Sequence, residues 1–190
     1  MTPLPDHLLE SLAAEAVREG IADAVFTRLK SPIGTLLVVS GPRGLVRIGF
    51  EDEPVDGLLA EVAGGIGPRV LKADGVLAGE RDALLAYLEG TDDADLDLPY
   101  DLTLVRSPFR RTVLETLQHD VHRGATIRYG ALAERAGNPR AARAAGSACA
   151  VNPIPLVVPC HRVLPSGGGV GSYRGGPPLK RRLLELEGSL

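Results

Sequence analysis

The sequence predicts an α/β fold in two domains, a small antiparallel sheet with helices followed by a mainly helical domain that contains a helix-turn-helix pair. Short apolar runs between residues 24 and 50 are separated by glycine and proline turns, a pattern typical of consecutive strands. After residue 103 the apolar residues recur at helical spacing instead. We therefore expect a first domain over residues 1–102 and a second over residues 103–190.

Turn residues mark the ends of the elements in the first domain. The turns at 32–34 and 41–44 separate three predicted strands, which then form an antiparallel meander, and a leucine-rich N-terminal helix is expected to cover the sheet. The predicted elements, in chain order, are a helix at 6–19, strands at 24–29, 35–40 and 45–50, helices at 55–62 and 79–89, and an edge strand at 96–102. Nothing in this half of the chain offers a catalytic constellation.

An acidic segment at residues 91–98 separates the two domains. Its aspartates suggest a calcium loop, but the segment lacks the glycine and the terminal glutamate that such a loop requires. We expect a solvated linker that carries Asp92, Asp93, Asp95 and Asp97.

The second domain begins with a helix whose start is marked in the sequence. Ser107 can accept from the free backbone N–H groups at the helix start, and Pro108 suits the first helical position. The apolar residues of this helix fall on one face, at Val113, Leu114, Leu117 and Val121.

A helix-turn-helix pair is predicted next. The first helix starts near Tyr129, the break is the Gly-Asn-Pro sequence at 137–139, and Asn138 is expected to cap the second helix. That second helix consists largely of Ala, Gly and Ser, with only Arg140 and Arg143 projecting from it. Such a slim helix packs closely against another helix or lies in a groove of a nucleic acid, and the residues alone leave both interpretations open.

Charge is distributed unevenly along the chain. The formal net charge is −3, but residues 101–190 contain 13 Lys and Arg against 6 Asp and Glu, so this half carries +7 and the first hundred residues carry −10. The arginine-rich half favours a phosphate-bearing partner, although solvated helix faces explain part of the excess. No run approaches twenty apolar residues, and the N-terminus resembles no signal peptide, so we expect a cytoplasmic protein without a membrane span.

The segment at 152–163, NPIPLVVPCHRV, is the strongest candidate for a reaction centre. Its three prolines restrict the backbone and its apolar residues favour burial, so it would hold Cys160 in a rigid interior position. A cysteine needs a base to become a nucleophile, and His161 is the nearest candidate. Adjacent side chains on an extended chain point apart, so His161 would act through a bridging water or from a turn.

Cys160 has three other interpretations. An isolated cysteine is most often a small buried apolar residue. A zinc site would need three or four ligands, and the spacing of the two cysteines and four histidines fits no zinc signature. A cysteine hydrolase using Cys160 and His161 would leave the arginine-bearing helix pair unexplained, and the sequence shows no helix starting directly after the cysteine.

The runs NPIPLVVPCHRV at 152–163, SYRGG at 172–176 and LLELEG at 183–188 closely resemble the O6-alkylguanine-DNA alkyltransferase family, the methylated-DNA–protein-cysteine methyltransferases. The resemblance covers residues 107–188 strongly and the first hundred only loosely. It implies a ribonuclease H-like first domain and a winged helix-turn-helix DNA-binding motif in the second.

The resemblance also implies an activity, namely DNA repair by direct reversal. An alkyl group, usually methyl, would pass irreversibly from O6-alkylguanine, and from O4-alkylthymine, to Cys160 after the nucleotide is flipped out of the duplex. Each molecule would act once, as a monomer on double-stranded DNA, without a cofactor. The chain lacks the cysteine-rich N-terminal segment of some relatives, so no metal is expected.

Roles for individual residues follow from the resemblance alone. His161, polarised by Glu187 rather than Glu185, would take the Cys160 proton through water, and Asn152 would brace the turn that carries Cys160. Tyr129 would crowd the target phosphate and donate to guanine N3, and Arg143 would fill the gap left by the flipped nucleotide. Further contacts with substrate or DNA are assigned to the carbonyls of Cys160 and Val163 and to Tyr173, Arg174, Asn138, Gly130, Ser166 and Arg110. Cys149 is expected only to pack.

The main alternative within the same resemblance is a DNA lesion sensor of the alkyltransferase-like type, which binds alkylated guanine without transferring anything. Those relatives replace the cysteine. The presence of Cys160 together with His161, Asn152 and Glu187 therefore favours the transferase.

Overall fold

The computed structural model describes residues 5–91 and 94–190, so the linker residues Asp92 and Asp93 lie outside the described part. The chain divides into two compact units, Met1–Ala86 with Leu98–Leu104 and Tyr87–Asp97 with Val105–Leu190. In chain order the elements are α1 (Asp6–Arg18), β1 (Ala24–Ser31), β2 (Gly34–Gly41), β3 (Gly44–Gly49), α2 (Val55–Gly65), β4 (Val70–Lys72), α3 (Ala78–Glu89), α4 (Pro108–Asp120), β5 (Ile127–Arg128), α5 (Tyr129–Arg135), α6 (Ala142–Ala150), a 3₁₀ turn (Cys160–Arg162), β6 (Val163–Leu164) and α7 (Gly176–Leu186).

The first unit contains a four-stranded sheet in the order β3-β2-β1-β4. β1, β2 and β3 pair antiparallel, which confirms the predicted meander, whereas β4 pairs parallel with β1 and was not predicted. Both hairpin turns need glycine, because Gly34 and Gly44 have φ of +103° and +116°. The predicted α/β fold class is confirmed.

Apolar side chains on both faces of this sheet are buried. On one face, Leu37 and Val39 of β2 pack with Leu58 and Val62 of α2. On the other face, Val25 packs with Ala13 of α1 and with Ala73. α1 therefore contacts the sheet through Ala13, but the apolar residues expected to face the sheet are exposed, namely Leu8, Leu9, Leu12 and Val17. Alternation along each strand places successive side chains on opposite faces, which is why both faces require a cover.

The predicted edge strand at 96–102 is wrong. A single parallel bridge joins Leu45 to Tyr100, with Leu45 N donating to the Pro99 carbonyl and Asp101 N donating to the Leu45 carbonyl, both at 2.8 Å. Pro99 has no N–H, so the pairing cannot extend toward residue 98. On the other side Thr103 N donates to Asp101 Oδ1 at 2.9 Å instead of to β3.

Two caps were predicted for the second unit, and one of them is wrong. Ser107 Oγ accepts from Arg110 N at 3.5 Å and Pro108 opens α4, as expected. Asn138 does not cap α6, which begins only at Ala142 after Ala141. Its Oδ1 accepts instead from Arg140 N at 3.3 Å, so the asparagine stabilises a local turn that delays the helix.

The second unit otherwise agrees with the sequence. α5 and α6 form the predicted helix pair, and β5 and β6 pair parallel beside it. α7 buries Leu183 and Leu184 and is followed by Gly188 at φ +71°, the left-handed residue expected after a helix. Among the described helices, none is long and apolar enough to cross a membrane.

Candidate active site

The segment before the candidate nucleophile is buried and bent. Residues 152–160 are all buried, and Leu156 adopts φ +77°, a left-handed conformation that is uncommon for a leucine. Val158 N donates to the Ile154 carbonyl at 2.9 Å and closes the bend. The stiff interior segment that the prolines predicted is therefore present, and it ends on Cys160.

Asn152 holds this bend together through its side chain. Oδ1 accepts from Ile154 N at 3.0 Å, and Nδ2 donates to the Val158 carbonyl at 2.8 Å and to Cys160 Sγ at 3.2 Å. Asn152 is 1% exposed, so these bonds compete with no water. One amide thus braces the backbone and also contacts the sulfur.

Cys160 begins a single 3₁₀ turn rather than continuing an extended strand. Cys160 N donates to the Val158 carbonyl at 2.8 Å, and Arg162 N donates to the Pro159 carbonyl at 2.9 Å. This turn of three residues is not the start of an α-helix, and the next helix, α7, begins only at Gly176. Burial raises the pKa of Cys160, and the Asn152 hydrogen bond and the charges of Lys180 and Arg174 act in the opposite direction.

A cavity of about 300 Å³ opens beside Cys160, so the sulfur-bearing residue is not sealed inside the core. Its size lies at the small end of the range for ligand pockets, which suits one planar group rather than a base pair. The lining residues come from α5, α6, the 3₁₀ turn and the glycine-rich segment before α7. They are Tyr129, Gly146, Cys149, Ala150, Cys160, Ser172, Tyr173 and Arg174.

Cys149 does more than pack, because it lines the same cavity as Cys160. Both thiols are free. Burial raises the pKa of Cys149, and the neighbouring Cys160 raises it further, so Cys149 remains a thiol at neutral pH.

His161 and Glu187 meet in the interior, as the sequence predicted. His161 Nε2 lies 3.0 Å from Glu187 Oε1, and both side chains are fully buried. Because a carboxylate only accepts, the imidazole proton lies on Nε2, and Nδ1 carries the lone pair. Nδ1 is buried without a hydrogen-bond partner in the described part of the chain. Burial lowers the pKa of His161, and this effect outweighs the hydrogen bond and charge of Glu187, which raise it. The ring is therefore neutral and able to accept a proton.

The Glu187 carboxylate has two further partners. Tyr87 Oη donates to its Oε1 at 2.5 Å, and Arg162 donates from Nε to Oε2 at 3.1 Å and from Nη2 to Oε1 at 2.8 Å. Burial would raise the pKa of Glu187, but the hydrogen bonds and charges of His161 and Arg162 outweigh it and lower this pKa to about 2. Glu185, the sequence competitor, is exposed.

Asp95 extends this charged network and corrects the prediction for the acidic segment. Asp95 Oδ1 accepts from Arg162 Nη1 at 2.7 Å and from Arg123 N at 2.9 Å. The side chain is 36% exposed, so it is not a simple solvated linker residue. Arg162 therefore lies between the carboxylates of Asp95 and Glu187, and its contact with Asp95 holds the guanidinium in place against Glu187.

Three residues of this site were missed in the sequence. Tyr87 is 74 positions before His161, and no local pattern connects the two. Arg162 was noted only as a neighbour of the Cys-His pair. Lys180 did give a signal, since it lies on the same helical face as Leu183, Leu184 and Glu187, where a lysine is unexpected.

The other predicted residues divide into two groups. Tyr129, Tyr173 and Arg174 line the cavity, with the Tyr173 ring edge-on to His161 at a centroid distance of 6.3 Å. Burial, followed by the charges of Cys149 and Cys160, raises the pKa of Tyr129 to about 12. Outside the lining, Arg143, Asn138 and Ser166 are exposed, and Gly130 and Arg110 are half-buried.

The two carbonyls expected to accept from the substrate already have donors. Cys160 O accepts from Val163 N, and Val163 O accepts from Lys180 Nζ at 2.6 Å. Each oxygen retains a second lone pair, so both remain able to accept another hydrogen bond. No cluster of three or more His, Cys, Asp or Glu side chains suited to a metal occurs within residues 5–91 and 94–190.

Comparison with known proteins gives matches in both halves of the chain. Residues 24–102 match the ribonuclease-like domain of 6-O-methylguanine DNA methyltransferase, and residues 108–189 match its DNA binding domain. A solved structure of Mycobacterium tuberculosis O6-methylguanine methyltransferase is similar, with a TM-score of 0.73 and 32% identity over 87% of this chain and 93% of that one. The Mycobacterium tuberculosis protein OGT in complex with DNA gives the same values.

Several curated relatives align over different lengths. The methylated-DNA–protein-cysteine methyltransferase of Methanothermobacter thermautotrophicus is 39% identical over 56% of this chain and 58% of its own length. That of Rattus norvegicus is 34% identical over 86% of this chain and 81% of its own length. A DNA base-flipping protein of Thermus thermophilus is 38% identical over 85% of this chain and 99% of its own length. With the domain matches at 24–102 and 108–189, these alignments show that the chain belongs to the methylated-DNA–protein-cysteine methyltransferase family.

Proposed function

We propose that the protein repairs alkylated DNA by moving an alkyl group from O6 of guanine, or O4 of thymine, to Cys160. The observation that carries the proposal is the placement of Cys160 at a small cavity, where Asn152 donates a hydrogen bond to its sulfur. His161, the next residue of the same turn, is paired with Glu187. The family relationship supports the same activity, because relatives over most of this length are named methylated-DNA–protein-cysteine methyltransferases.

The proposed reaction begins with loss of the thiol proton. His161 Nδ1 takes it through a bridging water, while Nε2–H remains bonded to Glu187, whose charge stabilises the imidazolium that forms. The thiolate attacks the alkyl carbon, a sulfur–carbon bond forms, and the carbon–oxygen bond breaks. The electron pair of that bond remains with guanine, toward which Tyr129 donates. The thioether has no good leaving group, so each molecule acts once.

Binding requires the target base to leave the duplex, because a cavity of about 300 Å³ holds a single base. We propose that the slim helix α6 lies in the minor groove and that the exposed Arg143 fills the space left by the base. Tyr173 and Arg174 then form the wall of the cavity around the base. Asn138, Gly130, Ser166 and Arg110 lie on the same unit and are proposed to contact the DNA backbone.

The proposed partner is double-stranded DNA bearing O6-alkylguanine, bound by a monomer in the cytoplasm. The two free thiols favour a reducing compartment, since a disulfide would consume the nucleophile. Sedimentation of the protein with and without a lesion-bearing duplex checks the monomer, and a second copy on a single-lesion duplex would contradict it.

Mass spectrometry after incubation with an O6-methylguanine duplex tests the activity directly. We expect one methyl group per chain, located on Cys160. Cys160→Ala should abolish transfer and leave binding to the duplex within about twofold, because the thiol contributes little to DNA contacts. Cys149→Ala is the matched control, and it should still accept one methyl group. Repeated turnovers, or methyl on Cys149, would overturn the proposal.

The alternative function is lesion binding without transfer. It is favoured by one observation, the 38% identity to a protein named for base flipping alone. The two functions differ in the fate of Cys160. If the wild-type protein binds the methylated duplex tightly and Cys160 gains no mass, the protein is a lesion sensor.

A further inference from the structure

Lys180 on α7 is completely buried and has no established purpose in the reaction. Its ammonium donates to two backbone carbonyls, Val163 O at 2.6 Å and Ser172 O at 3.5 Å. Lysine is almost never fully buried unless a negative group accompanies it, because removing its charge from water is unfavourable. In the described part of the chain, no carboxylate pairs with Lys180.

The two carbonyls bonded by Lys180 belong to two different segments of the candidate site. Val163 directly follows the turn that carries Cys160, and Ser172 lines the cavity. The ammonium therefore ties the nucleophile's turn to the cavity wall. The positive charge of Lys180 acts on the thiols of Cys160 and Cys149 and on the imidazole of His161.

We propose that Lys180 is a positioning residue of the transfer site, whose buried positive charge stabilises the Cys160 thiolate and whose two hydrogen bonds hold the cavity wall against the Cys160 turn. The inference rests on the proposed role of Cys160 as the acceptor. It explains why a lysine without a carboxylate partner persists in the interior, since its counter-charge is the thiolate that forms during the reaction.

The charges around the sulfur agree with this role. Burial disfavours the thiolate and raises the pKa of Cys160, whereas Asn152, Lys180 and Arg174 act against burial. Burial lowers the pKa of Lys180, and the thiols Cys160 and Cys149 oppose that change. The other titratable groups that interact with the sulfur are Tyr129 of α5 and Tyr173 and Arg174 of the glycine-rich segment. His161 belongs to the same 3₁₀ turn, and burial lowers its pKa, with a smaller contribution from Lys180 in the same direction.

The test measures thiol reactivity without DNA. In a Cys149→Ala background, the rate of Cys160 alkylation by iodoacetamide is followed from pH 5 to pH 10. For Lys180→Met we expect the rate profile to move up by about one pH unit, so that alkylation at neutral pH is roughly tenfold slower, because the rate follows the thiolate fraction. Arg181→Met removes the same charge from the exposed neighbouring position of α7, and its profile should match the parent.

Lys180→Gln separates the charge from the hydrogen bonds, because glutamine keeps an N–H donor for the carbonyls but carries no charge. It should fold as the parent does and show the same upward movement of the profile. Lys180→Arg keeps the charge and should restore most of the reactivity. If the pH profile of Lys180→Gln superposes on that of the parent, the proposal is overturned, even if Lys180→Met does not fold.

Methyl transfer from an O6-methylguanine duplex is measured in parallel. In Lys180→Gln, the rate of methyl transfer at each pH should fall by the same factor as the rate of iodoacetamide alkylation. If the parent protein transfers no methyl group, the proposed function fails, and the iodoacetamide profiles still decide whether Lys180 stabilises the thiolate. Slower transfer with an unchanged iodoacetamide profile would assign Lys180 a structural role only.

Discussion

At the scale of single residues, Arg162 decides whether the charged interior is stable. It is 2% exposed and lies between Glu187 and Asp95, while Glu187 also accepts from His161 and Tyr87. Replacing a whole buried ion pair with apolar residues often costs little, but removing one partner leaves an unpaired charge in the interior. The arginine is therefore required as long as the glutamate remains.

Arg162→Met should lower the free energy of unfolding by about 3–5 kcal/mol, because it leaves Glu187 without its cation. Urea denaturation measures this loss. Arg181→Met, on the exposed side of α7, is the matched control and should change stability by less than about 0.5 kcal/mol. Adding Glu187→Gln to Arg162→Met should recover part of the loss, and a further loss of similar size would contradict this account of the pair.

The residue scale also separates what a pattern can indicate from what it cannot. Cys160, His161, Asn152 and Glu187 were identified from ordered motifs that this chain shares with a family. Tyr87 and Asp95 were not, because their importance comes from long-range hydrogen bonds to Glu187 and Arg162 rather than from local sequence. A carboxylate that is buried needs donors, but the sequence does not say which distant residue supplies them.

At the scale of elements, α6 is the part of the site with the least side-chain bulk. Gly146, Cys149 and Ala150 line the cavity, and a Cβ on Gly146 would lie 3.8 Å from the Tyr129 ring, an ordinary contact distance. Arg143 points from the same helix but is exposed and lies outside the cavity lining. The helix therefore presents small residues to the cavity and a long cation to solvent.

Arg143→Ala should slow methyl transfer from duplex DNA by at least about tenfold, because Arg143 is the side chain proposed to fill the space left by the flipped base. Alkylation of Cys160 by iodoacetamide should remain unchanged in the same variant. Arg28→Ala, an exposed cation on β1 in the other unit, is the control and should leave transfer unaffected. An equal slowing with a single-stranded substrate would argue against a role in base flipping.

Element boundaries were predictable where the local chemistry is strong. The glycine turns marked β1 to β3 within about two residues, and Ser107 with Pro108 marked the start of α4. The predictions at 96–102 and Asn138 failed for a shared reason. In each case a local alternative, the missing N–H of Pro99 or the side-chain turn of Asn138, competes with the regular element.

At the scale of the whole molecule, acid stability depends on carboxylates whose pKa is depressed by the fold. The pKa values of Glu187 and Asp23 are both lowered to about 2. For Glu187, burial raises the pKa, but hydrogen bonds and charges from His161 and Arg162 outweigh burial. For Asp23, hydrogen bonds from Arg69 lower the pKa. The unfolded chain therefore binds protons at a higher pH than the native protein does. Stability from these groups is fully present above about pH 4.5 and is lost as the pH falls toward 2.

Thermal unfolding between pH 7 and pH 2 checks this expectation. The midpoint should fall steeply between about pH 4.5 and pH 2, and Glu187 alone should account for a loss of about 3 kcal/mol. Asp23→Asn removes one of the depressed carboxylates, so its midpoint should fall less steeply over the same interval. A midpoint that stays constant down to pH 2 would contradict the depressed pKa of Glu187.

The sequence by itself determined the α/β class, the meander, the helix pair and the candidate Cys-His segment, because glycine, proline and apolar spacing act over a few residues and the motifs are contiguous. Only the tertiary structure decided which side chains surround the sulfur and the carboxylate. Tyr87, Asp95 and Lys180 enter the site through the burial of charged groups, which must find hydrogen-bond partners wherever the chain brings them. That requirement acts through space, so spacing along the chain does not reveal it.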